Sequence, residues 1–140
     1  MEPIIGVLNL ISHSGMFILI WIVQTIIYPG FHVIEFQRFI QWHERYVQTF
    51  SLIVIPLMIT QAATSVLQLL QNTGVLQSME CLLLLAAWVV TFTSSIPCHK
   101  KLHEHGKDTV VINHLIRTNW LRTIAWTLSL IISLFTHLNI

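Results

Sequence analysis

Charged residues punctuate this chain rather than coat it. No Asp, Glu, Lys or Arg occurs between Pro3 and Ile34, between Tyr46 and Met79, between Cys81 and His99, or after Arg122. Each gap approaches the roughly 20 mostly apolar residues that a helix needs to cross hydrocarbon. The pattern predicts four membrane-crossing helices, over about Ile4–Tyr28, Val47–Leu70, Met79–Ile96 and Trp120–Leu138. Tyr28-Pro29-Gly30 should end the first, and Asn72-Thr73-Gly74 should turn the second into the third. Pro97 should close the third, Gly106 should break the loop after it, and Asp108 or Thr109 should cap the helix leading into the fourth. Residues Val33–Tyr46 predict a helical extension of the second span at the headgroups. The expected fold is all-α: an integral membrane four-helix bundle, up-down-up-down, with helical extensions at its cytoplasmic end. It occupies residues 1–140 as one transmembrane domain.

Composition excludes the alternatives. Hydrophobic residues make up 54% of the chain and charged ones 9%, against about 25% charged in a soluble domain; mean hydropathy is +0.72. A disordered chain is poor in apolar residues and is excluded by the same figures. The first apolar stretch has no Lys or Arg before it, and its 25 residues exceed the roughly 7–15 of a signal h-region. It is expected to stay in place.

The basic residues set an orientation. All seven lie in two connections: Arg38 and Arg45 in one, and Lys100, Lys101, Lys107, Arg117 and Arg122 in the other. Positive charge is retained on the cytoplasmic side, so both termini are expected outside the cytoplasm. Basic residues confined to one membrane face do not form a nucleic-acid surface. His32, His43, His99, His103, His105 and His114 lie in the same connections. The expectation is a polarised molecule, chemically equipped at the basic end and inert at the other.

Polar residues inside the spans fall into stripes at helical spacing. They are His13, Gln24 and Tyr28 in the first; His43, Val47, Phe50, Val54, Leu57 and Gln61 in the second; Glu80, Thr91, Ser94 and Cys98 in the third; and Asn119, Arg122, Trp126, Ser129 and Ser133 in the fourth. Such groups commonly hydrogen-bond helices together. Arg122 is costly inside a span unless it faces a wet cavity or an acceptor. It either snorkels beside Trp120, or points inward to bind a substrate oxygen or pair with Glu35 or Glu44. His43 and Tyr46 share one helical face, with His99 and the Asn119/Arg122 face expected opposite. Imidazole suits proton transfer near neutral pH. His43, Tyr46, His99 and Arg122 are therefore the candidate catalytic groups, and Tyr28, Asn119, Trp120 and Trp126 the candidate substrate contacts.

Cofactor chemistry has thinner support. Cys81 and Cys98 are 17 residues apart on one helix, about 25 Å at 1.5 Å per residue, too far for a disulfide. With no C-x-x-C, the thiol oxidoreductases that pass electrons to quinone are excluded. His99 and His103, at i and i+4, could chelate a metal, but no further ligands are set by spacing. A haem between His43 and His99 is the other cofactor reading. No cofactor is required by the pattern.

Several short motifs occur in a distinctive order: Tyr28-Pro29, Trp42-His43-Glu44-Arg45-Tyr46, Pro56, Pro97-Cys98-His99-x-x-Leu102, and Asn119-Trp120-Leu121-Arg122-Thr123 followed by Trp126. In these the chain resembles a family of small bacterial four-span membrane proteins, mostly uncharacterised, and more distantly the anthrone-oxygenase-like membrane proteins. The resemblance implies a bacterial inner membrane and places His43, His99, Asn119, Arg122 and Trp126 in the shared pattern, but not His32, His103 or His105. Gln61 stands where relatives often carry an acidic residue. The anthrone oxygenases imply cofactor-independent oxidation of an aromatic polyketide, carried over here only as a hydrophobic small-molecule site.

Three functions compete. The first is a cytoplasm-facing intramembrane site that binds or converts a lipid-like or aromatic molecule. The second is a non-catalytic subunit, self-associating or packed in a larger membrane complex. A small multidrug-type transporter ranks last, because the first span lacks a buried carboxylate.

Overall fold

A computed structural model describes residues 2–138, which are helical apart from three short connections. Helix α1 comprises Glu2–Ile22, a π-turn at Val23–Ile27 and a last turn at Tyr28–Gly30. Helix α2 is Phe36–Gln71. Helix α3 comprises Val75–Val90, a π-turn at Thr91–Ser95 and a continuation over Ile96–His105. Helix α4 is Thr109–Leu138. The Asn72–Gly74 turn and the Tyr28–Gly30 terminus fall where turn chemistry places them.

Pro97 does not close the third helix, contrary to expectation. In an α-helix the ring would strike the carbonyl four residues back and leave it without a donor. A π-turn widens the helix just before the ring: the N–H of Ile96 reaches back five residues to the carbonyl of Thr91. The first helix repeats the device before Pro29, where the N–H of Tyr28 reaches the carbonyl of Val23. In both helices a threonine stands four residues before the proline. Thr25 and Thr93 each donate to a carbonyl of the preceding turn, Trp21 O and Val89 O, at 2.7 Å.

The connections are chemically pinned. Gly106 ends α3 at φ +84°, a conformation costly for residues with a Cβ. Asp108 Oδ1 caps α4 by accepting from the N–H groups of Val110 and Val111 at 2.8 and 3.2 Å. Lys107 Nζ crosses to the α1–α2 connection and donates to the carbonyls of His32 and Ile34, both at 2.7 Å.

Three helices are long and apolar enough to cross a membrane: Ile4–Gly30, Phe36–Gln71 and Val75–His105. Their outward faces expose Ile4, Val7, Ile11, Leu52, Leu70, Leu82 and Leu85. An apolar belt of that extent would drive association in water, so its natural solvent is lipid. Helix α4 presents Leu121, Ile124, Leu128 and Ile131 outward and buries Asn119, Arg122, Thr123, Ser129 and Ser133. Gly15 lets α1 approach α2, since a Cβ there would meet Leu57 at 3.2 Å.

Candidate functional site

Where α1 ends, the chain sends Phe31 into the bundle, fully buried. Its ring is the hub of an aromatic cluster, with Tyr28, Phe39, Trp42, His43 and Tyr46 all at centroid distances of 5.5–5.9 Å. Phe39 stacks on His43 at 5.6 Å and 14°, and Trp42 stacks on Tyr46 at 5.6 Å and 7°. These rings fix the rotamers of the polar groups they surround. Sequence reasoning did not single out Phe31, because an apolar residue beside a Pro-Gly pair has no chemical signature.

The aromatic cluster holds a three-membered hydrogen-bonded wire. Tyr28 Oη lies 3.1 Å from His99 Nε2, and His99 Nδ1 lies 2.9 Å from His43 Nε2. Two neutral proton arrangements satisfy these contacts. In one, Tyr28 donates to His99 and His99 donates to His43. In the other, His43 donates to His99 and His99 donates to Tyr28. Moving each proton one step from the first leaves Tyr28 a phenolate and His43 an imidazolium. The second arrangement is reached when Tyr28 Oη also takes up a proton from outside and His43 Nδ1 releases one, so the three groups form a path for net transfer of one proton.

This geometry also bears on the cofactor readings. The imidazoles of His43 and His99 are in direct hydrogen-bond contact, an arrangement that leaves no room for an iron between them. Both nitrogens of His99 are taken by protein partners, and His103 is exposed, so the two do not form a chelating pair. Among the described residues, no group of three or more His, Cys, Asp or Glu could hold a metal ion. Cys81 and Cys98 are both free.

A cavity of about 750 Å³ lies beside the wire. Its walls are Tyr46, Phe50, Val54 and Met58 from α2, and Trp88, Phe92 and Ile96 from α3; Tyr28, His43, Ser95, His99 and Arg122 form its polar end, with Glu44, Gln48, Lys100 and His103 at the rim. Ile55, Ile59, Phe92 and Ile96 line it and are also exposed, as are Glu44, Gln48, Lys100 and His103, so it opens both sideways through the apolar surface of the bundle and toward the charged end.

Arg122 is 7% exposed. Its Nη1 donates to Ser95 Oγ at 2.8 Å and Asn119 Oδ1 at 3.1 Å, and its guanidinium carbon sits 5.0 Å from the centroid of the Trp126 ring. Hydrogen bonds to a charged group contribute about 1.5–3 kcal/mol each and a desolvated cation–π contact about 2. These suffice against the roughly 3 kcal/mol that an arginine costs at a helix centre. They leave the charge itself unneutralised. Among the described residues no carboxylate lies within ion-pair distance of Arg122. Of the expected partners, Glu35 pairs with Arg38 at 3.5 Å, and Glu44 lines the same cavity but accepts from Gln48 at 3.3 Å. Arg122 Nε, also buried, meets no hydrogen-bond partner.

Five of the eight candidate residues meet at the cavity: Tyr28, His43, Tyr46, His99 and Arg122. Asn119 and Trp126 stand behind Arg122. Asn119 Nδ2 donates to Gln24 Oε1 at 2.8 Å and its Oδ1 accepts from the guanidinium, so it aims Arg122 and does not line the cavity. The Trp126 indole N–H donates to Gln61 Oε1 at 3.0 Å. Trp120 faces outward, 45% exposed, edge-on to Trp21 at 5.8 Å, and does not line the cavity. Ser95 and Trp88 were missed. The wide turn favours a step of four from Thr91 to Ser95 over the step of three to Ser94, which instead donates to Thr118 at 2.9 Å.

No protein-family model, curated protein or solved structure matches the chain.

Proposed function

We propose that the protein binds, within the membrane, a hydrophobic molecule carrying an acidic or strongly accepting oxygen. The observation that carries this reading is the uncompensated guanidinium of Arg122 at the inner end of an apolar cavity. A buried positive charge with no carboxylate in ion-pair contact calls for an anionic or electron-rich oxygen from outside. The apolar walls suit an acyl chain or a flat aromatic body, and the sideways mouth admits it from the bilayer. With the oxygen on Arg122, the Tyr28–His99–His43 wire can take up or deliver a proton while the guanidinium stabilises the developing negative charge.

In this reading α4 is a fourth span, its exposed Leu121, Ile124, Leu128 and Ile131 facing lipid, and the helices alternate up-down-up-down. The positive-inside bias puts the cavity end in the cytoplasmic leaflet of a bacterial inner membrane, with both termini outside.

The test is saturable binding of two probes, a long-chain fatty acid and a polycyclic hydroxyanthrone, to the purified protein in lipid nanodiscs. At least one should bind saturably, and Arg122→Gln should weaken it by about 10–100-fold, the equivalent of one or two charge-assisted hydrogen bonds. Trp120→Ala should leave binding unchanged. Failure of both probes to saturate, or equal binding by folded Arg122→Gln, overturns the proposal.

A further inference from the structure

The end of the bundle remote from the cavity holds a second ionisable cluster, formed where no lysine or arginine is near. Glu80 on α3 is 1% exposed and His13 on α1 is fully buried; His13 Nε2 lies 3.3 Å from Glu80 Oε1. Ser65 donates to the same oxygen at 2.5 Å, and Asn9 Nδ2 lies 3.1 Å from it. The other carboxyl oxygen, Glu80 Oε2, is buried and meets no hydrogen-bond partner among the described residues.

The proton count of this pair follows from its contacts. His13 Nδ1 lies 2.9 Å from the carbonyl oxygen of Asn9, which can only accept, so Nδ1 carries a hydrogen. Nε2 and Glu80 are then left to face each other. With one proton between them the pair is neutral overall, as imidazolium with carboxylate or as imidazole with carboxylic acid. Without it, a bare carboxylate faces a nitrogen lone pair; with two, an imidazolium faces a carboxylic acid. Both alternatives leave a net charge buried inside the bundle with no counter-charge beside it, which is expensive.

We propose that Glu80 and His13 form a binding site for a single exchangeable proton at the end of the bundle opposite the cavity. The reaction it supports is release and recapture of that proton. The acid form loses H⁺, the pair passes from neutral to one negative charge, and no other bond changes. Each packed element contributes known neighbours. Helix α2 offers Thr64 and Ser65, neither titratable. Helix α4 offers His137, whose Nδ1 is 2.7 Å from the Ser133 carbonyl oxygen and whose Nε2 is 3.0 Å from Gln68 Nε2. Cys81 adjoins Glu80 on α3, half-buried and free. This inference is independent of the ligand proposed for Arg122.

The test is nuclear magnetic resonance of the whole protein in nanodiscs, with ¹⁵N-labelled histidine and ¹³C-labelled glutamate. A His137→Gln variant identifies the neighbouring ring. In the wild type the His13 ring and Glu80 carboxyl signals should move together in one single-proton step as pH is raised. Glu80→Gln, which keeps the volume and the contact with Ser65, should abolish that step and leave His13 neutral. Separate titrations of the two groups overturn the proposal, as does the absence of any step in the wild type up to the pH at which the protein unfolds. The wild-type titration decides even if the variant does not fold.

Discussion

Asn119 shows how one neutral side chain keeps a charge available. Its amide has a single consistent orientation, hydrogens toward Gln24 and oxygen toward Arg122, so it anchors the guanidinium without neutralising it. Asn119→Asp changes almost no volume but supplies the missing negative charge. The expected outcome is a melting temperature in detergent equal to or above that of the wild type, with binding of the acidic probe weakened at least tenfold. Loss of stability with unchanged binding would show that the charge of Arg122 is not what the cavity uses. At this scale much of the site was legible, because a polar side chain in an apolar run has few places to go. Trp120 was not, since it lies two residues from Arg122 and hence well off its face at about 100° per residue. Its indole stands near the basic end where an interfacial aromatic belongs.

The two π-turns are the elements that sequence patterns conceal. A proline in a helical run reads as an end, and Pro29 does lie in a last turn, whereas Pro97 is followed by two further turns of helix. The difference lies downstream: Gly30 follows Pro29 and the chain leaves the helix, whereas Cys98 and Leu102 continue the buried face beyond Pro97. Periodicity resolves helix faces but not a single widened turn, so Ser95 was passed over for Ser94. The π-turn sets the rotation of His99 relative to Arg122. Pro97→Ala removes the ring that holds the turn open, and α-helical hydrogen bonding should return. Thermal stability should hold or rise while probe binding falls several-fold, because His99 is turned away from Tyr28 and His43. Unchanged binding would mean that the wire tolerates the rotation.

At the scale of the whole molecule, the charge census foresaw the richer end but misjudged the other one. Glu80, the lone charge between Tyr46 and His99, was read only as part of a polar stripe on the third span. Burial among Asn9, His13, Ser65 and, through Asn9, Ser133 depends on four helices meeting, which no single stretch of sequence displays. The molecule therefore has polar chemistry at both ends, joined through the middle by Gln61 and Trp126. Its orientation is open to a direct measurement. In a background lacking Cys81 and Cys98, a cysteine at the exposed Thr73 position should react with an impermeant maleimide applied outside intact cells. One at Lys101 should react only after permeabilisation. The reverse pattern would place the cavity in the other leaflet.

The sideways mouth between Ile55, Ile59, Phe92 and Ile96 changes what concentration means for this protein. A molecule that enters from the bilayer is presented at its mole fraction among lipids, not at its molarity in water. Adding empty vesicles would dilute such a ligand and empty the site, whereas adding buffer would hardly matter. A compound almost insoluble in water could still occupy the site fully once dissolved in the membrane. Occupancy would then follow the local makeup of the lipid patch in which each copy sits.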